Sequence, residues 1–270
     1  MHVGYKTDIG KTREVNEDSY FVDDDNEVFI VADGIGGHQA GEIASKLAVS
    51  TIAQSLLHNK NLLLSEGAEP KNARVHISNI IQEAIQKANG NIYKLANVSP
   101  HLKGMGTTVV LALRYKDKIY IAHVGDSRAL LVRHNGIIQL TEDHSLVGEL
   151  VRKGEVSREE SRKHHLRHII TRSLGIKEVI SADITSVTWQ KGDYFLLCTD
   201  GLTNMVSDED IKGIVLDVKD PTGICEQLVE FANNMVGHDN ITVVVLHLNE
   251  NMGIKNVRKK VERAGEKGEF

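Results

Sequence analysis

Apolar positions change their spacing several times along the chain, and each change marks an element. Glu27 to Ala32 (EVFIVA) is a short, mostly apolar run that ends in Asp33-Gly34, the pattern of a buried strand closed by a sharp turn. From Ala40 onward, Ala40, Ile43, Ala44, Leu47, Ala48 and Ile52 recur at three- and four-residue steps. That spacing predicts an amphipathic helix, with Glu42 in the first turn where the helix dipole favours an acid. A second helix is expected from about Asn72 to Asn97, on a stripe of isoleucines and alanines from Ile77 to Ile92, with Gly90 as the place where it could bend.

The period then drops to two. Thr107–Leu113, Lys118–Val124 and Arg128–Arg133 read as successive strands, and His134-Asn135-Gly136 is a hairpin signal before Ile137–Leu140. Residues 143–180 break the pattern, with eight Lys/Arg, six Asp/Glu and four histidines and little apolar periodicity. They read as a solvated excursion from the core, partly helical. Tyr194–Thr199 and Ile241–Leu248 are strong strand signals. Between them Asp220-Pro221 offers a helix cap ahead of the stripe Ile224, Leu228, Phe231, Ala232 and Met235. The final 20 residues carry six basic and three acidic side chains and are expected to form a tail, leaving residues 1–250 as one domain.

Composition narrows the function. With 41% hydrophobic residues, 26% charged and three prolines, the chain is neither disordered nor fibrous. A net charge of −5 argues against a general nucleic-acid binder. The two cysteines, Cys198 and Cys225, form no CxxC pattern, which suits a reducing compartment. No apolar run approaches the length of a membrane span, and the first residues lack an apolar signal core. A soluble cytoplasmic protein with no membrane insertion is expected.

The candidate chemistry is acidic. Asp33-Gly34, Gly125-Asp126, Asp200-Gly201 and Asp239-Asn240 each place an aspartate beside an apolar strand. Any one of them alone reads as a turn, because Asp bonds its own backbone and Gly accepts positive φ. Four together admit another reading. Strand ends in one sheet lie about 5 Å apart, so the carboxylates could meet on one rim. Gathered carboxylates repel unless a cation neutralises them, and oxygen ligands without Cys or His pairs select Mg²⁺ or Mn²⁺.

Seven blocks, in order, carry a resemblance. They are Thr7-Asp8-Ile9-Gly10 with Arg13 and Asn16-Glu17-Asp18-Ser19; Val31 to His38 (VADGIGGH); Gly104-Met105-Gly106-Thr107-Thr108; His123 to Arg128 (HVGDSR); Leu140 to His144 (LTEDH); Cys198 to Leu202 (CTDGL); and Asp239 to Val243 (DNITV). Together they resemble the metal-dependent type 2C (PPM) Ser/Thr protein phosphatases, in particular the small stand-alone bacterial branch.

The resemblance implies an α+β fold, a four-layer sandwich in which two stacked antiparallel sheets are flanked by helices on both faces. It implies two Mn²⁺ or Mg²⁺ ions, with Asp33 bridging them, the Gly34 carbonyl on one, and Asp200 and Asp239 on the other. Glu17, Asp18 and Asn240 would act through water around the ions, and Asp126 with Asp200 would hold a third, weaker ion. Arg13 would bind the substrate phosphate, and 143–180 would be a flap subdomain beside the active site. The implied reaction is hydrolysis of phosphoserine and phosphothreonine by a hydroxide bridging the two ions. The implied partners are phosphorylated proteins, a Ser/Thr protein kinase and its substrates, met by a monomer. The rival reading, a catalytically dead module that only binds phosphoproteins, predicts loss of these carboxylates. Asp33, Asp200 and Asp239 are all present.

One departure concerns proton donation. Animal relatives place a histidine two residues after the bridging aspartate, and here Ile35 stands there. His38 is read as capping its helix rather than as a catalytic acid, with a metal-bound water as the donor. Thr107 and Thr108 are expected to pack in a strand, Cys198 to fill the core, and His164, His165 and His168 to lie on a solvated flap surface.

Overall fold

The computed structural model describes residues 1–36, 40–65, 70–157, 160–161 and 164–249. The most apolar runs become the inner strands of two five-stranded antiparallel sheets. One sheet has the order β1 (His2–Asp8), β12 (Ile241–Leu248), β11 (Asp193–Cys198), β8 (Arg128–Arg133), β9 (Gly136–Gln139). The other runs β10 (Asp183–Thr188), β7 (Lys118–Val124), β6 (Val109–Tyr115), β3 (Val28–Ala32), β2 (Ser19–Asp23). A short pair, β4 (Gly34–Ile35) and β5 (Gly106–Thr107), lies beside them.

Side chains alternate between two cores. Phe29 and Val31 of β3 face the other sheet and share a core with Val110, Ala112, Phe195, Leu197, Val244 and Leu246. Val28, Ile30 and Ala32 face the opposite way, onto the buried stripes of α1 (Ala40–Ser65) and α2 (Pro70–Val98). In the other sheet Leu196, Cys198, Val243 and Val245 turn outward onto the single turn α4 (Asp200–Thr203) and two longer helices, α5 (Asp208–Val218) and α6 (Pro221–Met235). Each sheet is thus covered on both faces, which is why antiparallel strands here read as continuous apolar runs. The four layers are helices, sheet, sheet, helices, as expected.

Local signals hold where they are strong. The Asp220 carboxylate accepts the Gly223 N–H at 2.9 Å and Pro221 opens α6. Ser207 caps α5 by accepting from Asp210 N–H. The α2 helix runs unbroken through Gly90, where the sequence allowed a bend. The expected strand 107–113 is split instead. Thr107 pairs in β5, β6 starts at Val109, and Thr108 between them turns its hydroxyl to the Asp33 backbone. The edge strands β1, β2 and β10 carry mixed polar and apolar residues and are less buried, so they leave no continuous apolar run in the sequence.

Within 143–180 the described residues form α3 (Leu146–Arg152), capped by Ser145, and turns. Among the described residues, no helix is long and apolar enough to cross a membrane. His38 and the expected tail 251–270 lie outside the described residues.

Candidate active site

Register brings the aspartates together. Asp33 follows β3, and Ser19, the neighbour of Asp18, pairs with Ala32 at that same strand end. Asp126 follows β7, whose Val124 pairs with Val109 at the start of β6. In the other sheet Cys198, just before Asp200, pairs with Val243, close after Asp239. All five carboxylates therefore stand on one rim of the sandwich, where the two sheets meet.

Their fields show how close they are. Removal from water, then the charges of Asp18, Asp200, Asp126 and Asp239, push the Asp33 carboxyl well above the usual carboxylate range. Asp126 is raised well above its ordinary value by burial, then by Asp200 and Asp143. Asp200 is raised by burial and by Asp239, and Arg128 and the flap's His168 oppose the shift. His168 itself is exposed, as expected of a surface residue of the 143–180 segment. Asp18 is pushed up to about 7 by burial, against the two hydroxyls that it accepts from.

Three of these carboxyl groups, and that of Glu17, keep an oxygen buried with no hydrogen-bond partner among the described residues: Asp18 Oδ1, Asp126 Oδ1, Asp200 Oδ1 and Glu17 Oε1. Unpaired buried acceptors are costly and uncommon. Several on one rim fit a hard cation, which oxygen ligands suit and which would remove the mutual repulsion. The donor set therefore fits divalent ions of the Mg²⁺ or Mn²⁺ type.

Polar side chains around the cluster hold the Asp33 backbone and the second oxygens of Asp18 and Asp200. Thr108 Oγ1 accepts the Asp33 N–H at 3.0 Å and bonds Ser127 Oγ at 2.6 Å. Thr107 Oγ1 donates to the Asp33 carbonyl at 2.7 Å. Both threonines are fully buried, yet they fix the Asp33 backbone and are more than strand packing. Asp18 Oδ2 accepts from Thr199 Oγ1 at 3.0 Å and from Thr242 Oγ1 at 2.7 Å, while Oδ1 has no partner among the described residues. Asp200 Oδ2 accepts from Asn204 at 2.9 Å. The signal was present in the sequence as Thr-Asp and Gly-Thr-Thr, but β-branched residues beside strands look like packing.

Arg13 lies on a loop tied to the start of β12. Lys11 N–H donates to the Gly237 carbonyl, Thr12 Oγ1 to the His238 carbonyl, and Arg13 Nη2 reaches Asp239. Asn240 is the staple of this loop, not a group facing the carboxylates. Its Nδ2 donates to the carbonyls of Ile9 and Val15, and its Oδ1 accepts the Glu17 N–H at 2.8 Å. The Glu17 carboxyl is raised by burial, with Arg13 opposing, and a Cβ on Gly41 would stand 2.7 Å from its Oε1. Gly34 donates its N–H to the Glu17 carbonyl and passes so close to Gly41 that a side chain would collide with the Gly41 carbonyl.

Beside the cluster a cavity of about 110 Å³ opens between Asp126 and Asp200 on one side and Val147, Arg152 and Arg167 of the 143–180 segment on the other. Its lining includes a forked pair in which Arg128 Nη2 meets Asp143 Oδ2 at 2.6 Å. The segment thus borders the site. His164 and His165 stack on each other with ring centres 4.5 Å apart. A separate cluster, His123, His144 and Asp183, has its ligand atoms within 4.8 Å of one another. Cys198 and Cys225 are both buried thiols, Cys225 inside the α6 core.

Comparison with known proteins agrees with this geometry. The family described as "Protein phosphatase 2C" matches residues 13–241. A Listeria welshimeri protein named serine/threonine phosphatase stp is 39% identical over 252 residues, 92% of this chain and 96% of its own. The crystal structure of the Mycobacterium tuberculosis serine/threonine phosphatase PstP/Ppp superposes with a TM-score of 0.80 at 33% identity, over 92% of this chain and 99% of that one. A structure of the PstP catalytic domain in complex with two manganese ions superposes with a TM-score of 0.78 at 30% identity, over 92% and 98%. The chain belongs to the protein phosphatase 2C family.

Proposed function

We propose that this 2C-type serine/threonine protein phosphatase hydrolyses phosphoserine and phosphothreonine in proteins with divalent metal ions, and reverses the work of a Ser/Thr protein kinase. The observation that carries the metal reading is the set of buried, unpartnered carboxylate oxygens on one rim, with Asp33 at their electrostatic centre. Asp33, the Gly34 carbonyl, Asp200 and Asp239 would hold two ions, with Glu17 and Asp18 around them and Asp126 with Asp200 holding a weaker third. The PstP structure with two manganese ions supports Mn²⁺ as a competent metal. When bound, such ions supply a water acidic enough to deprotonate near neutral pH and positive charge for the phosphoryl oxygens.

The chain's own residues do the rest. Arg13 offers a planar fork that bonds two phosphate oxygens at once, which a lysine cannot do. Thr107 and Thr108 hold the Asp33 backbone, so its carboxylate does not reorganise during the reaction. Residues of the 143–180 segment line the cavity beside Asp126 and Asp200, which supports a flap that would meet the protein carrying the phosphate. We place the reaction in the cytoplasm, on a monomer, with phosphorylated proteins as partners and no role for nucleic acid, a reading that the buried thiols and the acidic charge favour.

Hydrolysis of p-nitrophenyl phosphate and of phosphoserine, phosphothreonine and phosphotyrosine peptides, with Mn²⁺ and after chelation, tests this. Strict metal dependence with turnover of the serine and threonine peptides is expected. Metal-independent turnover would reject the mechanism, and bound metal without turnover would favour the binding-only module.

A further inference from the structure

The His123, His144 and Asp183 cluster has the spacing of a metal site, but its protons are already assigned. The Gly125 N–H donates to His144 Nδ1 at 3.1 Å, so that nitrogen is bare. Burial and the neighbouring His123 lower the His144 pKa, which keeps the ring neutral near pH 7. A neutral ring bare at Nδ1 carries its proton on Nε2, which points at Asp183 Oδ2 at 3.2 Å. A cation on Nε2 would need to displace that proton and leave an imidazolate. The cluster is a hydrogen-bond relay.

The relay joins two parts of the active site. At one end His144 grips Gly125 twice, since its own N–H donates to the Gly125 carbonyl at 3.0 Å while the ring accepts the Gly125 N–H. Gly125 has φ of 109°, and a Cβ there would come within 2.6 Å of the Thr108 side chain. A side chain is thus excluded at the position next to Asp126. At the other end Asp183 takes Arg172 Nη1 on its second oxygen at 2.6 Å. His144 also sits in the neck of the flap, where its carbonyl accepts from Thr171 N–H at 2.8 Å, and Ser145 bridges to Ile170. The His123 ring stacks on His144 with centres 4.6 Å apart and holds the Glu142 carbonyl at 2.7 Å, so the imidazole has little room to turn.

We propose that His144 is a positioning residue that aims the Asp126 carboxylate through Gly125 and, through Asp183 and Arg172, ties the Asp126 position to the neck of the flap. The proposal rests on the reading of Asp126 as the holder of a weaker ion. Occupancy of that position and order at the flap neck then become linked properties.

Two substitutions divide the relay. In His144→Asn the side-chain oxygen falls near the place of Nδ1, which keeps the Gly125 bond and loses the reach to Asp183. In His144→Gln the amide falls near the place of Nε2, which does the reverse. Mn²⁺ binding is followed by calorimetry and by the electron spin resonance of free Mn²⁺, and flap-neck amides by hydrogen exchange. Wild type should bind a weak ion, and its saturation should slow exchange around Leu146 and Thr171. In H144Q the weak affinity should fall about fivefold or more, the scale of one neutral hydrogen bond, with the tight ions unchanged. H144N should stay within about twofold for the weak ion, because the Gly125 bond is kept, while losing the link to flap protection. H144Q with wild-type weak affinity, or H144N with full coupling, would overturn the proposal while leaving the metal reading intact. Two ions and no third in wild type would instead overturn the Asp126 reading and the proposal with it. Should H144Q fail to fold, H144N together with Asp183→Asn decides the flap link on its own.

Discussion

Arg13 Nη2 lies 2.9 Å from each carboxylate oxygen of Asp239, a partly exposed pair across 226 positions of sequence. The guanidinium thus stands as the positive partner of a carboxylate that we assign to a metal ion. Once a divalent ion shares Asp239, the fork is available to a phosphate.

Replacing Arg13 by Ala should lower kcat/KM for a phosphopeptide by about 10- to 100-fold, the loss of one or two charge-assisted hydrogen bonds, carried mainly by KM. Mn²⁺ affinity, measured by calorimetry, should hold or rise because a competing cation has gone. Arg13→Lys should recover little, since a point charge cannot fork. A large drop in metal affinity would place Arg13 among the metal's supports instead.

Asp33 and Asp126 should part company. Asp33→Asn, at the electrostatic centre, should cut kcat by about 10³-fold or more, the scale of removing a preorganised stabiliser, and abolish tight Mn²⁺ binding. Asp126→Ala should keep the two tight ions and slow turnover. Calorimetric stoichiometry beside kcat checks both, and a full rate in D126A would count against a working third ion.

The pH dependence has a definite sign. Asp18 titrates near 7 in the folded, metal-free protein because burial opposes its charge, and near 3.8 when unfolded. A folded state that holds its proton more tightly is favoured at low pH and loses that advantage as pH rises between the two values. Metal-free protein should therefore lose stability from about pH 4 to about pH 7, and Asp18→Asn should flatten the decline in melting temperature. Metal loading at pH 6 should release protons, measurable in weak buffer. An unchanged slope in D18N would show that the carboxyl is not protonated.

Thr108 is a structural test of preorganisation. Thr108→Val keeps the shape but strips the acceptor from the Asp33 N–H, at a cost of about 1–3 kcal/mol in denaturant unfolding. Turnover should fall with it, because the Asp33 backbone loses its anchor. Thr108→Ser, which keeps the hydroxyl, should retain both. A stable but slow T108S would shift the role from the hydroxyl to the methyl group.

The identity of the elements was legible because burial on both faces leaves a continuous apolar mark: β3, β7, β11 and β12 all stood out as such runs. The helix stripes and the Asp220-Pro221 cap were equally local. β1, β2 and β10 were not legible, since edge strands carry less apolar residues. Asp33, Asp126, Asp200 and Asp239 could be picked out as acids beside strands, a property of neighbours in the chain.

What the chain order could not settle was where those acids meet and which polar groups serve them. The pairing of Ser19 with Ala32 and of Cys198 with Val243 puts residues 18, 33, 200 and 239 on one rim. Only that register turns separate turns into a shared field. The same closure decided that Asn240 staples the Arg13 loop, that Thr108 holds Asp33, and that His144 grips Gly125 while reaching Asp183. Hydrogen bonds act over about 3 Å of space whatever the distance along the chain, so these roles exist only after the sheets have stacked.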